Sequence, residues 1–360
     1  MSFSGKFKDL NGRYLPGKLF YAPEWLVLGV NNTCNLHCKM CDVGVENSAN
    51  NFYQNLMGSQ PVHMPLDLFK KITDQASRYF HKVKMGYAFT EPLTYKFLGE
   101  SLAYANHKKL FTSVTTNAYN LRSMATQLEV GGLNELYVSL DGPPDVHNYI
   151  RGRNNSFEKA IEGIDYLLSR PKHPAISVFC VITQWNTGRL AEFLNYFKNK
   201  NLQQVGFMHT NYTTPEIAED HNHLFGDLYP ATSSNSINTR EYNLDELWSE
   251  ISKVRSTTYK FKVTFSPEIR DPGTLDKFYR EPRKMIGTRC KDILNAVMIK
   301  SNGDVIPAHG RCYNLKIGNV YDEDLNKIWN SAIISKFRRD VSRHGGLLPG
   351  CSRCCSAFSG

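Results

Sequence analysis

No stretch of the 360 residues is apolar for long enough to cross a bilayer. Residues 1–20 also lack the uninterrupted apolar core of a signal peptide, because Lys6, Lys8, Asp9 and Arg13 break it. The expectation is a cytoplasmic protein with no membrane contact. Internal repeats and low-complexity tracts are missing, which excludes solenoids and linker-type chains. Long runs of like charge are missing too. The formal charge is +9, from 43 Lys and Arg against 34 Asp and Glu, yet the densest basic groups are the pairs Lys108-Lys109 and Arg338-Arg339. Such spread charge reads as a solvated basic surface, not a nucleic-acid patch, and it suits an anionic small substrate.

What is present in quantity is cysteine in clusters. Nine cysteines do not suit a simple disulfide framework, and a chain this long needs no disulfide staples. Cys34, Cys38 and Cys41 form one group. Cys290, Cys312, Cys351, Cys354 and Cys355 form a second, and Cys180 stands alone. In a reducing compartment, cysteines at short spacing read as metal ligands.

Short runs rich in Val, Ile, Phe and Tyr alternate with amphipathic stretches from Leu26 to Asn211. The strand candidates are Leu26–Val30, Val83–Phe89, Phe111–Thr116, Leu136–Leu140, Ile176–Ile182 and Val205–His209. Between them, Leu66–Phe80, Phe97–Asn106, Phe157–Leu168 and Leu190–Lys198 repeat apolar residues every three or four positions, as helices do. Repeated βα units predict an α/β fold with a parallel sheet, a partial (β/α)6 version of the TIM barrel, with function at the C-terminal strand ends. The run from Asn211 to Asn235 is polar and turn-rich and reads as a long loop or substrate cover. A helix is predicted over Leu244–Val254. A hairpin follows, Val297–Lys300 and Asp304–Ile306, about an Asn302-Gly303 turn. The expected division is an extension at 1–25, the barrel at 26–211, a connecting region at 212–283 and a cysteine-bearing α+β module at 284–360.

The first cysteine group follows the first strand as Cys34-Asn35-Leu36-His37-Cys38-Lys39-Met40-Cys41. Three thiolates can hold three irons of a [4Fe–4S] cubane and leave the fourth open to a chelating ligand. A structural zinc site would need a fourth closed ligand, and His37 is poorly spaced for it. This motif resembles that of the radical S-adenosylmethionine superfamily, and further segments share the likeness. Phe89-Thr90-Glu91-Pro92 resembles the family's Gly-Gly-Glu-Pro, with the glycines replaced. Thr115-Thr116-Asn117 resembles Thr-Asn-Gly, with Ala118 in place of the glycine. Ser139-Leu140-Asp141-Gly142 and His147-x3-Arg151-Gly152 follow. The resemblance implies that Glu91, Thr116, Asn117, Ser139, Asp141 and Arg151 surround S-adenosylmethionine, with Glu91 on the methionyl ammonium and Arg151 near its carboxylate. It also implies a reductant protein such as flavodoxin or ferredoxin, and a 5′-deoxyadenosyl radical that abstracts a substrate hydrogen.

Asn302-Gly303-Asp304-Val305-x-Pro307, then Ile317-Gly318-Asn319-Val320 and Ile328-Trp329, resembles the SPASM/Twitch extension of these enzymes. Full SPASM modules place a cysteine after that proline, where this chain has Ala308. The supply fits one auxiliary [4Fe–4S] cluster, with Cys290, Cys312, Cys351 and Cys354 as ligands. Spacing leaves open whether Cys354 or Cys355 is the fourth, and a four-cysteine zinc site is the alternative. A fully ligated cluster transfers electrons and leaves substrate to the rest of the site. If it takes an electron, the product is oxidised. If a thiol returns a hydrogen, the product is epimerised, with Cys180 and Cys355 as candidate donors. Tyr87, His209 and Glu268 are further polar candidates near strand ends. Only about 25 residues precede the first strand, too few for a leader-binding domain. The expected substrate is therefore a small polar metabolite, sugar-like or aminocyclitol-like, that is oxidised, dehydrated or epimerised. The alternatives are a maturase of ribosomally made peptides and a non-catalytic iron–sulfur or zinc scaffold. Nucleic acid is not expected as a partner.

Overall fold

Strands of four to eight residues that are buried on both faces need covering on both sides, and amphipathic helices between them supply it. The computed structural model describes residues 3–234 and 237–358. Asn235, the end of the polar run, and the outermost residues of the two terminal segments lie outside the described residues. Among the described residues, ten strands form one sheet: β1 (Trp25–Leu28), β2 (Lys84–Tyr87), β3 (Phe111–Thr116), β4 (Glu135–Ser139), β5 (Ala175–Ile182), β6 (Gln204–His209), β7 (Lys262–Ser266), β8 (Ala296–Ile299), β9 (Asp304–Pro307) and β10 (Gly318–Asn319). Their order is β10-β9-β8-β1-β2-β3-β4-β5-β6-β7. Pairing is parallel from β8 through β1 to β7, and antiparallel at β8–β9 and β9–β10.

The six expected strands form within a residue or two of their predicted ends. The helix over Leu66–Tyr79 shows why its pattern was readable: Leu68, Phe69, Ile72 and Ala76 recur on one face and are buried against the sheet. The sheet also runs past β6 by one strand. β7 begins with Lys262 and is largely exposed along one side, as edge strands are, so only Val263 and Phe265 of its five residues are apolar, too short a pattern to stand out. The polar run after Asn211 is not all loop. Thr214 accepts a hydrogen bond from the Ile217 N–H, and Pro215 opens a helix to Phe225. The helix predicted over Leu244–Val254 forms over Leu244–Ser256.

At the other edge, the predicted hairpin turns at Gly303, whose φ of 82° no side-chain-bearing residue adopts readily. Its first strand, β8, pairs with β1. The cysteine-bearing module is therefore continuous with the barrel sheet, and the N–H of Ala308, which follows β9, bonds the Ala296 carbonyl at the start of β8.

Candidate active site: two cysteine groups at the strand ends

Cys34, Cys38 and Cys41 lie in the loop after β1 and form no disulfide. The loop closes tightly, with the Cys41 N–H on the Cys38 carbonyl at 3.1 Å and the Lys39 N–H on the Ile150 carbonyl at 2.8 Å. Gly44 packs over Cys38 so closely that an added Cβ would sit 2.4 Å from its carbonyl oxygen. Burial pushes the Cys38 thiol up to about 12 and raises Cys34 as well. His37 is exposed.

Glu91 is buried after β2. Its carboxylate accepts the Thr116 hydroxyl at 2.6 Å, the Asn117 N–H at 2.8 Å and the Leu93 N–H at 2.9 Å. Burial raises its pKa and these three donors oppose the rise. The carboxylate thus ties the end of β2 to the end of β3. Asn117 also donates to the Asn35 side chain at 2.7 Å, inside the first cysteine loop. Asn31, which motif reading missed, donates to the Glu91 carbonyl and accepts from Thr90. Ala118 and Phe89, near two of the replaced glycine positions, adopt φ of 61° and 83°. The glycine-like backbone is kept without glycine, at a cost of about 1 kcal/mol each.

Asp141, after β4, is an interior anchor. One carboxylate oxygen accepts the Val181 N–H at 3.0 Å, and the other takes Arg151 Nε at 2.6 Å and Nη2 at 2.5 Å. The remaining Arg151 nitrogen lies 3.6 Å from Cys38 Sγ. Arg151 is therefore no surface ion pair but a buried cation against a cysteine of the loop. Ser139 is half-buried at the end of β4.

The second group gathers around a cavity of about 90 Å³ lined by Cys290, Cys312, Cys351 and Cys354. Burial pushes the first three thiols up. Cys355 does not line this cavity. It sits with His309 and Cys354, the three ligand atoms lying within 4.8 Å of one another. Its lining also includes the polar Asn50, Asn51, Thr213 and Arg311 beside the apolar Phe52 and Phe337. Arg353, between Cys351 and Cys354, is fully buried and donates to the carbonyls of Lys277, Phe278, Glu281, Lys284 and Ser352.

Several candidates face elsewhere. Cys180 is fully buried, its thiol 3.7 Å from Asn186 Nδ2. The Tyr87 hydroxyl meets Ser101, His209 meets the Tyr279 hydroxyl at 2.9 Å, and Glu268 pairs with Arg255 at 2.5 Å on the surface. None of these four lines the cysteine cavity. A strand's two faces look alike in sequence when both are buried, so the directions of Cys180, Tyr87 and His209 could not be assigned beforehand.

Thiols committed to no disulfide become thiolates when a metal replaces the proton. Three in one loop and four around one cavity are the donor sets of a cluster with one open iron and of a closed one, so the residues fit both groups. Among the described residues, no helix is long and apolar enough to cross a membrane.

Comparison with known proteins agrees with this geometry. The Radical SAM superfamily matches residues 29–197, and an iron–sulfur cluster-binding domain, SPASM, matches 290–355. GTP 3′,8-cyclase of Helicobacter pylori is 26% identical over 182 residues, 50% of this chain and 54% of that protein. The chain thus spans about half the length of the curated relatives it matches. Streptococcus suis SuiB bound to S-adenosylmethionine superposes with a TM-score of 0.62 at 17% identity, over 88% of this chain and 68% of the other. AdoMet-bound anSMEcpe does so with 0.59 at 16% identity, over 87% and 82%. These two likenesses are of fold. Two domain matches, each lying over one of the two cysteine groups, place the chain in the SPASM-containing branch of the radical SAM superfamily, with a [4Fe–4S] cluster, an auxiliary cluster and S-adenosylmethionine as its cofactors.

Proposed function

We propose that the protein uses S-adenosylmethionine to abstract a hydrogen atom from a small, polar, sugar- or aminocyclitol-like metabolite, which is then oxidised, dehydrated or epimerised. Cys34, Cys38 and Cys41 would hold a [4Fe–4S] cluster with one open iron, which, once reduced, would supply the electron that cleaves S-adenosylmethionine to a 5′-deoxyadenosyl radical. The chain's own residues do the positioning. Glu91, with Thr116 and Asn117, holds the ends of β2 and β3 together and keeps a carboxylate beside the loop. Arg151 sets positive charge against Cys38, which favours its thiolate, and Asp141 fixes that cation from behind. Ser139 completes the rim at the end of β4. Cys290, Cys312, Cys351 and Cys354 hold the auxiliary cluster.

The observation that supports the substrate class is the cysteine supply: four cysteines around one small cavity make the ligand set of a single auxiliary cluster. Cys180 is fully buried against Asn186, and Cys355 sits beside His309 and Cys354, which favours oxidation or dehydration over a thiol-quenched epimerisation. The electron source in this reading is a flavodoxin- or ferredoxin-type protein of the cytoplasm.

The test is 5′-deoxyadenosine release by anaerobically reconstituted protein given dithionite and S-adenosylmethionine. The rate rises several-fold with hydroxylated sugars or aminocyclitols and not with short peptides. No release from fully iron-loaded protein overturns the enzyme, and stimulation by peptides alone overturns the substrate class.

A further inference from the structure

The chain departs from its family's pattern at two places more than 200 residues apart, and in the folded protein they touch. Phe89 stands in the segment where relatives carry glycine. His309 follows Ala308, which stands where full SPASM modules carry cysteine. The two rings stack with centroids 5.7 Å apart and planes at 28°. Phe89 holds a φ of 83°, which a phenylalanine keeps only when its surroundings enforce it. His309 provides one side of that enforcement and Phe52 the other, edge-on at 6.0 Å.

His309 is in turn fixed by the auxiliary module. Its Nδ1 accepts the Arg311 N–H at 3.2 Å, its Nε2 lies 2.9 Å from the Ser356 hydroxyl, and Cys354 and Cys355 crowd the ring. A second contact runs in parallel. Asn55, in the short helix after the first cysteine loop, donates to the carbonyls of Gly310 and Cys312 at 2.9 and 2.8 Å.

We propose that the Phe89–His309 stack couples the auxiliary cysteine site to S-adenosylmethionine binding, with His309 as a positioning residue for the loop that carries Thr90 and Glu91. The inference rests on the reading of Glu91 as part of the S-adenosylmethionine site. Metal held by Cys351 and Cys354 orders the segment that contacts His309. His309 then keeps Phe89 in its left-handed conformation, and Phe89 sets where Thr90 meets Asn31. Because coupling between two sites is reciprocal, S-adenosylmethionine must also be felt at the auxiliary cluster.

The test uses the full chain with both sites loaded anaerobically and no reductant for binding. The S-adenosylmethionine dissociation constant is measured in four proteins: unchanged, His309→Ala, Phe89→Gly, and the double variant. His309→Ala weakens binding roughly tenfold, within the span usual for coupled sites. In the Phe89→Gly background the same change costs less than about twofold, because glycine holds that φ without a brace. In the reduced proteins, the auxiliary cluster's EPR signal shifts on adding S-adenosylmethionine, and His309→Ala abolishes the shift. If His309→Ala does not fold, His309→Phe keeps a ring on Phe89 and retains affinity within about twofold. Equal losses in both backgrounds, or an EPR shift that survives in His309→Ala, overturn the coupling alone. Failure of the unchanged, iron-loaded protein to bind S-adenosylmethionine overturns the site reading instead.

Discussion

Glu91 receives three hydrogen bonds, and two of the donors are backbone N–H groups that cannot turn away. Gln at this position would present its amide N–H₂ to one of them. Glu91→Gln is expected to lower stability by about 1–3 kcal/mol, the usual cost of an unsatisfied buried group, and to weaken S-adenosylmethionine binding. Denaturant midpoint and equilibrium dialysis read the two effects, and a variant that binds normally removes Glu91 from the site. The two adjacent cysteines differ in the same concrete way. Cys354 lines the cavity and Cys355 sits beside His309. Cys355→Ser is expected to retain about eight irons per chain after reconstitution, and Cys354→Ser to fall towards four. The reverse pattern would make Cys355 the ligand. Consecutive cysteines have the same spacing to every other cysteine within one residue, so only their side-chain directions separate them.

The Cys351–Cys354 turn is held as an element by Arg353. Its donors add to the carbonyls at the end of the Pro272–Arg280 helix, where Lys277 also accepts the Glu281 N–H, Phe278 the Tyr212 hydroxyl and Glu281 the Lys284 N–H. Replacing it with Met removes one donor from each of these three carbonyls and from those of Lys284 and Ser352. Arg353→Met is expected to cost about 1–3 kcal/mol and to reduce iron at the auxiliary site while sparing the first site. Arg353→Lys should not restore it, since one ammonium cannot span carbonyls from three segments. Guanidinium unfolding and iron analysis measure both, and a stable, fully loaded Arg353→Met protein would show that the turn holds itself. The strands around the barrel were legible because each is short, apolar and bounded by turn residues. β7 was not, because an edge strand needs only half of that pattern.

At the scale of the molecule, His209 links the core to pH. It is buried among Phe278, Tyr279 and the end of β6, with Arg255 the nearby charge, and burial lowers its pKa to about 3. The unfolded chain takes up that proton below about 6.5, while the folded chain does so only near 3. The unfolded state therefore binds more protons in this window, and stability falls as pH drops through it. The contribution is complete above about pH 6.5, and roughly 2 kcal/mol of it is gone at pH 5. His209→Gln keeps a partner for Tyr279 and removes the titration, so its loss of stability between pH 7.5 and pH 5 should be smaller by that amount. Parallel curves for the two proteins would locate the acid sensitivity elsewhere.

By itself the sequence determined the parts whose signal is local: the three-cysteine loop after β1, the order of the βα units, the Asn302-Gly303 hairpin and the cysteine supply of the second site. A cluster motif and a strand both occupy a few consecutive residues, so spacing alone reveals them. Only the tertiary structure decided that β8 joins the barrel edge beside β1, that Arg151 turns inward to Asp141 and Cys38, and that Phe89 meets His309. Apart from Arg151 with Asp141, ten residues apart, those are pairings across more than 100 residues. They follow from how the sheet closes and which faces its helices cover, and no short-range pattern encodes either.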